Sequence, residues 1–243
     1  MDYVLVIPAR YQSSRLPGKP LVDLCGLPMI VRTYRQCLKA CPPERIYVAT
    51  DDERIASVCR ENAINVLMTS ASCRTGTDRV AECATLLGAD IFINVQGDEP
   101  VFDPDDLSKF IETIKNYPDQ VLNGYCAIED EHQFRSGTIP KVVMRADERL
   151  LYMSRAPIPA TKEHGYVKAW RQVCVYSFPR QALAAFASTR GKSTLESVED
   201  IEILRFLEIG WEVRMVPLSG KSCSVDIPED IANVENIIRE RGL

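Results

Sequence analysis

No run of about 18 apolar residues, the length that crosses a bilayer as a helix, occurs in the 243-residue chain. The apolar stretch near the start, Tyr3 to Pro8, is too short for a signal-peptide core and no basic region precedes it. A cytoplasmic protein with no membrane partner is expected. Excess charge of one sign is also missing. With 29 basic and 34 acidic residues the net charge is −5, which argues against nucleic acid as a partner, so any anion site must be local. Histidine is scarce: His132 and His164 both sit in polar, loop-like contexts and neither is placed as a general base. The nine cysteines include no CxxC pair, and their odd number and irregular spacing exclude a zinc cluster and fit reduced, mostly buried thiols. Neither GxxxxGK[ST] nor GxGxxG follows the first strand, which excludes a P-loop and a dinucleotide fingerprint.

What is present is alternation of strand and helix. YVLVIP (3–8), RIYVAT (45–50), INVLMT (64–69) and DIFINVQ (90–96) are short apolar runs suited to strands covered on both faces. Between them, helical spacing predicts helices over 28–39, from Asp51 or Asp52 to 61, and from Thr75 or Thr77 to 87, with another starting near Pro104. The second half is less regular. Strands are expected over 124–129, 140–146, 171–178 and 211–218, and a loop or arm over 154–165. One helix is expected from Ser193 or Thr194 to 209, and a last one over 228–241. The pattern predicts one α/β domain over 1–243: a Rossmann-like, mostly parallel sheet flanked by helices, with a smaller mixed-sheet lobe.

Ligands of open α/β sheets bind at the carboxyl ends of the strands. The first strand ends in ARYQSSRLPGKP, where Arg10, Arg15 and Lys19 can converge on a multiply charged anion, a triphosphate above all. The fourth strand ends in NVQGDEP, which places Asp98 at the same end of the sheet. Late in the chain, CSVDIPED carries Asp226. Each aspartate by itself fits a turn or helix cap, and Asp226 stands just before a predicted helix. Together with a phosphate loop, the two carboxylates could share Mg²⁺, which is typically held by one or two carboxylates plus substrate phosphates.

These segments, with VATDD, TGTDRVAE, KVV and YMSRAPIP, resemble the 3-deoxy-manno-octulosonate (Kdo) cytidylyltransferases almost end to end. The resemblance implies the nucleotide-diphospho-sugar transferase type of fold, with a dimer-forming arm around Tyr152 to Pro159 and a homodimer. It implies transfer of CMP from CTP to an acidic 2-keto sugar, with release of pyrophosphate. It assigns Ala9, Arg10, Arg15 and Lys19 to CTP, Thr75 and Gly76 to cytosine and ribose, and Gln96 to nucleotide or sugar. Asp98 and Asp226 fall to Mg²⁺; Lys141, Arg155, Tyr176, Glu199 and Glu202 fall near the sugar or the subunit contact.

The chain departs from the family at four places. Gln172 stands for a histidine, Cys174 for a glycine, Ile203 for a glutamine and Cys73 for a histidine. A site built for a polar group rejects analogues lacking it, so the changes at Gln172 and Ile203 imply an altered acceptor. That acceptor is a Kdo variant or a different small acid such as a phosphonate. The readings outside this one are a nucleotidyltransferase for another base and a non-catalytic nucleotide-binding protein.

Overall fold

The computed structural model describes residues 1–13, 15–189 and 191–243. The chain starts with β1 (Tyr3–Ala9), which is buried at every position after Tyr3. A small antiparallel hairpin of β2 (Asp23–Leu24) and β3 (Leu27–Pro28) leads into α1 (Met29–Cys37). Then come β4 (Ile46–Thr50) and α2 (Glu53–Glu61), whose N-cap Asp52 accepts from the Arg54 amide, and β5 (Asn65–Met68). Next, α3 (Gly76–Leu86) begins in a capping box of Thr75 and Asp78, followed by β6 (Ile91–Val95) and α4 (Pro104–Asn116). The second half contains β7 (Val121–Ala127), α5 (Glu131–Arg135), β8 (Lys141–Met144), β9 (Leu150–Ser154) and β10 (Trp170–Pro179). It ends with α6 (Arg180–Ser188), α7 (Thr194–Glu199), α8 (Ile203–Glu208), β11 (Val213–Pro217) and α9 (Pro228–Arg241).

The main sheet runs β11-β7-β10-β6-β1-β4-β5. β6, β1, β4 and β5 are mutually parallel, β11 is parallel to β7, and β10 alone runs against both of its neighbours on this path. The ten-residue β10 also pairs with β8, so the smaller lobe (β8 and β9) is an extension of the main sheet. Leu5, Ile7 and Ile93 face a core layer shared with α1, α2 and α4. Val4, Val6 and Phe92 face the opposite layer, with α3, α6 and α8. This is the strand periodicity of two, with both faces covered. From β1 the chain winds outward to β4 and β5, then crosses back to β6 on the other side of β1. The switch point therefore lies between the ends of β1 and β6. Finally, α9 returns to pack Val234 and Ile238 on Leu24, Met29 and Val101.

Several segments differ from expectation. The helix expected over 193–209 is two helices, broken where Asp200 takes a left-handed φ of 52°. Tertiary bonds cause the break: the Glu199 carboxylate accepts from Tyr152, Ser154 and the Arg155 amide, while Glu202 turns to the start of α3. The β2–β3 hairpin, α5, β9 and α6 lie outside the expected elements. In α6, Ala182, Leu183 and Phe186 carry the helical spacing that would have revealed it.

Candidate active site

The loops after β1 and β6 enclose a cleft of about 380 Å³. Ala9, Arg10, Arg15, Lys19, Thr75, Gly76, Gln96, Asp98, Glu202 and Asp226 all line it. The basic loop folds back because Gly18, at φ 69°, donates its amide to the Tyr11 carbonyl at 3.0 Å. That turn delivers Lys19, whose Nζ donates to Asp98 Oδ2 at 2.5 Å and to Asp226 Oδ1 at 3.0 Å. Arg15 adds a bond to Asp226 Oδ1 at 3.1 Å. The two aspartates, far apart in sequence, meet because the Val225 amide donates to the Asp98 carbonyl at 3.0 Å. Asp226 is not a cap: its own amide and that of Ile227 donate to Asp230. Burial works against the Asp226 charge, but Lys19 and Arg15 hold its pKa below the usual carboxylate value. The Lys19 pKa is raised, burial being outweighed by the two aspartates.

Close backbone approach makes this geometry possible. A Cβ on Gly97 would lie 2.9 Å from the Pro8 carbonyl oxygen, so the ends of β1 and β6 touch through a glycine. Gly97→Ala must push the two loops apart. A drop in kcat on the order of 10²-fold, the scale of a 1 Å misplacement, is expected in steady-state assays, together with a lower melting temperature.

On the opposite wall, the Gly76 and Thr77 amides donate to Glu202 at 3.3 and 2.7 Å, so a carboxylate sits on the positive end of α3. Burial pushes the Glu202 pKa up, against the pull of those amides. Four charged liners of this cleft are absent from the sequence expectations: Arg74, Arg79, Lys192 and Asp200. Arg79 could have been found, since it closes TGTDR on the first turn of α3. It is buried, bonded to Thr69 Oγ1 at 2.5 Å and 3.2 Å from Asp51. Lys192 and Asp200, paired at 2.5 Å, lie in surface-like sequence with no signal. Among the described residues six cationic side chains thus line the cleft against four carboxylates, a local excess of positive charge in an acidic protein. Cys73 also lines it, its thiol donating to Glu82 at 3.1 Å and pushed up to about 12 by burial and that carboxylate.

Six residues expected near the sugar or the subunit contact do not line the cleft. Lys141 is fully buried and uses all three ammonium donors on the carbonyls of Ser136, Ile139 and Arg155, at 2.6, 2.7 and 2.5 Å. The Arg155 guanidinium is committed to the carbonyls of Glu199, Gly137, Thr138 and Asp200. With Glu199, these residues tie the lobe of β8 and β9 to the α7–α8 turn. Gln172 is buried and donates to Asn123 Oδ1 at 2.9 Å; Asn123 in turn fills the bulge of β10 by bonding the Val173 and Val175 carbonyls. Ile203 is core, and Tyr176 lies in the same core cluster, stacked on Phe178. Neither His132 nor His164 lines the cleft. Lys141→Met leaves three carbonyls without a donor and should cost roughly 2–3 kcal/mol, about 5–10 °C in melting temperature, with KM for both substrates unchanged. A raised acceptor KM at unchanged melting temperature would restore the substrate-contact role.

Among the described residues no group of three or more His, Cys, Asp and Glu could hold a metal. The pair Asp98 and Asp226 nevertheless fits a hard divalent cation completed by substrate oxygens, since one ammonium already bonds an oxygen of each. No helix among the described residues is long and apolar enough to cross a membrane.

A family profile described as cytidylyltransferase matches residues 4–221. The 3-deoxy-manno-octulosonate cytidylyltransferase of Chlorobium limicola is 39% identical over 243 residues, covering 98% of each chain. That of Trichlorobacter lovleyi is 37% identical over 252 residues, covering 99% of this chain and 100% of its own. The solved structure of a CMP:2-keto-3-deoxy-manno-octonic acid synthetase complexed with CTP superposes with a TM-score of 0.92 at 32% identity, covering 99% of this chain and 100% of that one. A glucose-1-phosphate thymidylyltransferase from Bacillus anthracis shares the fold, with a TM-score of 0.71 at 15% identity over 98% of this chain and 96% of that one.

Proposed function

The chain belongs to the cytidylyltransferase family of nucleotide-transferring enzymes, and from that premise we propose that it transfers CMP from CTP to Kdo or a closely related acidic 2-keto sugar, releasing pyrophosphate. The observation that carries this reading is the meeting of the basic loop with Asp98 and Asp226 at the switch point of the sheet. A triphosphate seated there meets Arg10, Arg15 and Lys19, which neutralise the charge that builds on the leaving pyrophosphate. The acceptor hydroxyl attacks the α-phosphate in line with that leaving group. Mg²⁺ bound by Asp98 and Asp226 would supply Lewis-acid stabilisation at the α-phosphate and lower the pKa of the attacking hydroxyl. Positioning of the two substrates on opposite walls, under the Glu202-capped start of α3, supplies the rest.

Burial of Gln172 and Ile203 supports Kdo itself over an altered acceptor. Neither side chain reaches the cleft, so their departure from the family pattern is compatible with Kdo itself. We assign the homodimer contact to the face of β9 and α7, where Leu151 and Val198 are exposed beside the Glu199 network. The test is pyrophosphate release with CTP, UTP, ATP and GTP against Kdo, its 8-amino variant, a nonulosonate and a simple phosphonate. Fast turnover of CTP with Kdo is expected. Turnover of the phosphonate with Kdo inert would replace this reading with the small-acid one.

A further inference from the structure

The two carboxylates assigned to the metal already hold a cation of the protein's own. Lys19 Nζ bonds Asp98 Oδ2 at 2.5 Å and Asp226 Oδ1 at 3.0 Å, and its side chain is only 13% exposed. Arg15 reinforces the pair from the solvent side, 3.1 Å from Asp226. The position is built in, because Lys19 opens a short helical turn behind Gly18, which is itself tied to Tyr11.

A divalent ion bonding the same two oxygens would stand a few ångströms from this ammonium. Like charges that close repel strongly in a partly buried site, so metal and ammonium exclude one another. The displaced ammonium then needs another anion, and the triphosphate is the one this cleft is built to take. Conversely, a triphosphate arriving without a metal meets two carboxylates whose counter-cation it must draw away. Each ligand alone is opposed by what the other would relieve.

We infer that Lys19 is a resident counter-cation of the Asp98–Asp226 pair, and that its displacement makes divalent-metal and CTP binding mutually dependent. The CTP half of this statement rests on the function proposed above; the exclusion between metal and ammonium does not. By linkage the metal raises CTP affinity by the same factor that CTP raises metal affinity, with couplings typically about 5- to 150-fold. In the free protein the ammonium also keeps the two aspartates from facing each other uncompensated, so the loop, the β6 end and the segment before α9 stay assembled before substrate arrives.

The test is Mn²⁺ alone, titrated by electron paramagnetic resonance into the full-length chain after EDTA treatment, with no nucleotide present. Wild type, Lys19→Met and the double variant Lys19→Met/Asp98→Asn are compared. Lys19→Met should bind Mn²⁺ roughly 10-fold tighter than wild type, within the usual coupling range, and the double variant should lose that gain. Mn²⁺ should also raise the melting temperature of Lys19→Met more than that of wild type. Should Lys19→Met fold poorly, Lys19→Gln gives the same comparison. Equal or weaker Mn²⁺ binding in the lysine variants overturns the inference, and so does a gain that survives Asp98→Asn. CTP failing to bind wild type with or without Mn²⁺ would sink the proposed function, while the metal comparison would still decide the role of Lys19.

Discussion

Asp98→Asn should lower pyrophosphate release by about 10³-fold while leaving CTP affinity within about 10-fold of wild type. The side chain keeps its size and can still accept a bond from Lys19, so the loop is not expected to collapse. What disappears is one full negative charge of a two-carboxylate site. Removing one preorganised electrostatic partner from a transition state costs on the order of 10²–10³-fold in kcat, and the metal-holding role proposed for Asp98 puts its loss at the upper end. On the proposed function binding is less sensitive, because Arg10, Arg15, Lys19 and the other cationic liners of the cleft remain to meet the triphosphate. Single-turnover pyrophosphate release and calorimetric CTP binding separate the two quantities. A protein that only bound nucleotide would show the opposite pattern, with altered affinity and no turnover to lose.

Arg205→Met should be the most destabilising of the changes considered, by about 3–5 kcal/mol. Arg205 is 2% exposed, and its Nε and Nη2 bond the two oxygens of Glu196, itself fully buried, each at 2.6 Å. Nη1 reaches Asp78 at 3.2 Å, and the guanidinium stacks 3.7 Å from the centre of the Phe186 ring. Burial opposes the charge on Arg205, but Glu196 and Asp78 hold its pKa above the usual value. Methionine fills the space and leaves Glu196 as an unpaired buried charge, the condition that costs about 3–5 kcal/mol. For a chain of this size that is roughly 10–15 °C in melting temperature. Arg205→Met/Glu196→Leu should recover most of the loss, because replacing both ions by apolar groups is often close to neutral. A single-variant shift below about 3 °C in a thermal melt would show that the pair stabilises little. Asp78 also accepts the Arg74 and Thr75 amides, so the cleft wall at the start of α3 should loosen in the single variant as well.

The parts of the site that could be read from the sequence sit on local signals. Arg10, Arg15 and Lys19 follow an unbroken apolar strand within one glycine-tipped loop, and Asp98 follows another through Gly97. Strand ends in a parallel sheet share one edge, so these four positions converge whatever the details of packing. Thr75, Gly76 and Asp78 announce a helix start by residue type alone. Lys141, Arg155 and Glu199, expected near the sugar or the subunit contact, lie outside the cleft lining for the opposite reason. Charged residues in recognisable motifs suggest substrate contact, yet here their donors and acceptors are spent on carbonyls, hydroxyls and an amide of the lobe. Gln172 is outside it as well, its amide bonded to Asn123 across a strand pair.

The sequence by itself determined the alternating α/β architecture, the end of the sheet that carries the candidate site, and the basic loop and Asp98 that stand there. Those follow from apolar periodicity and from residue types at strand ends, which act within a few residues along the chain. Only the tertiary structure decided that Asp226 joins Asp98 around Lys19, that the helix after Ser193 breaks at Asp200, and that Gln172 and Ile203 are buried outside the cleft lining. Each depends on partners tens to hundreds of residues away, such as Val225 on Asp98 or Thr77 on Glu202. A buried polar group takes whichever partner folding brings to it, and sequence spacing does not reveal that partner.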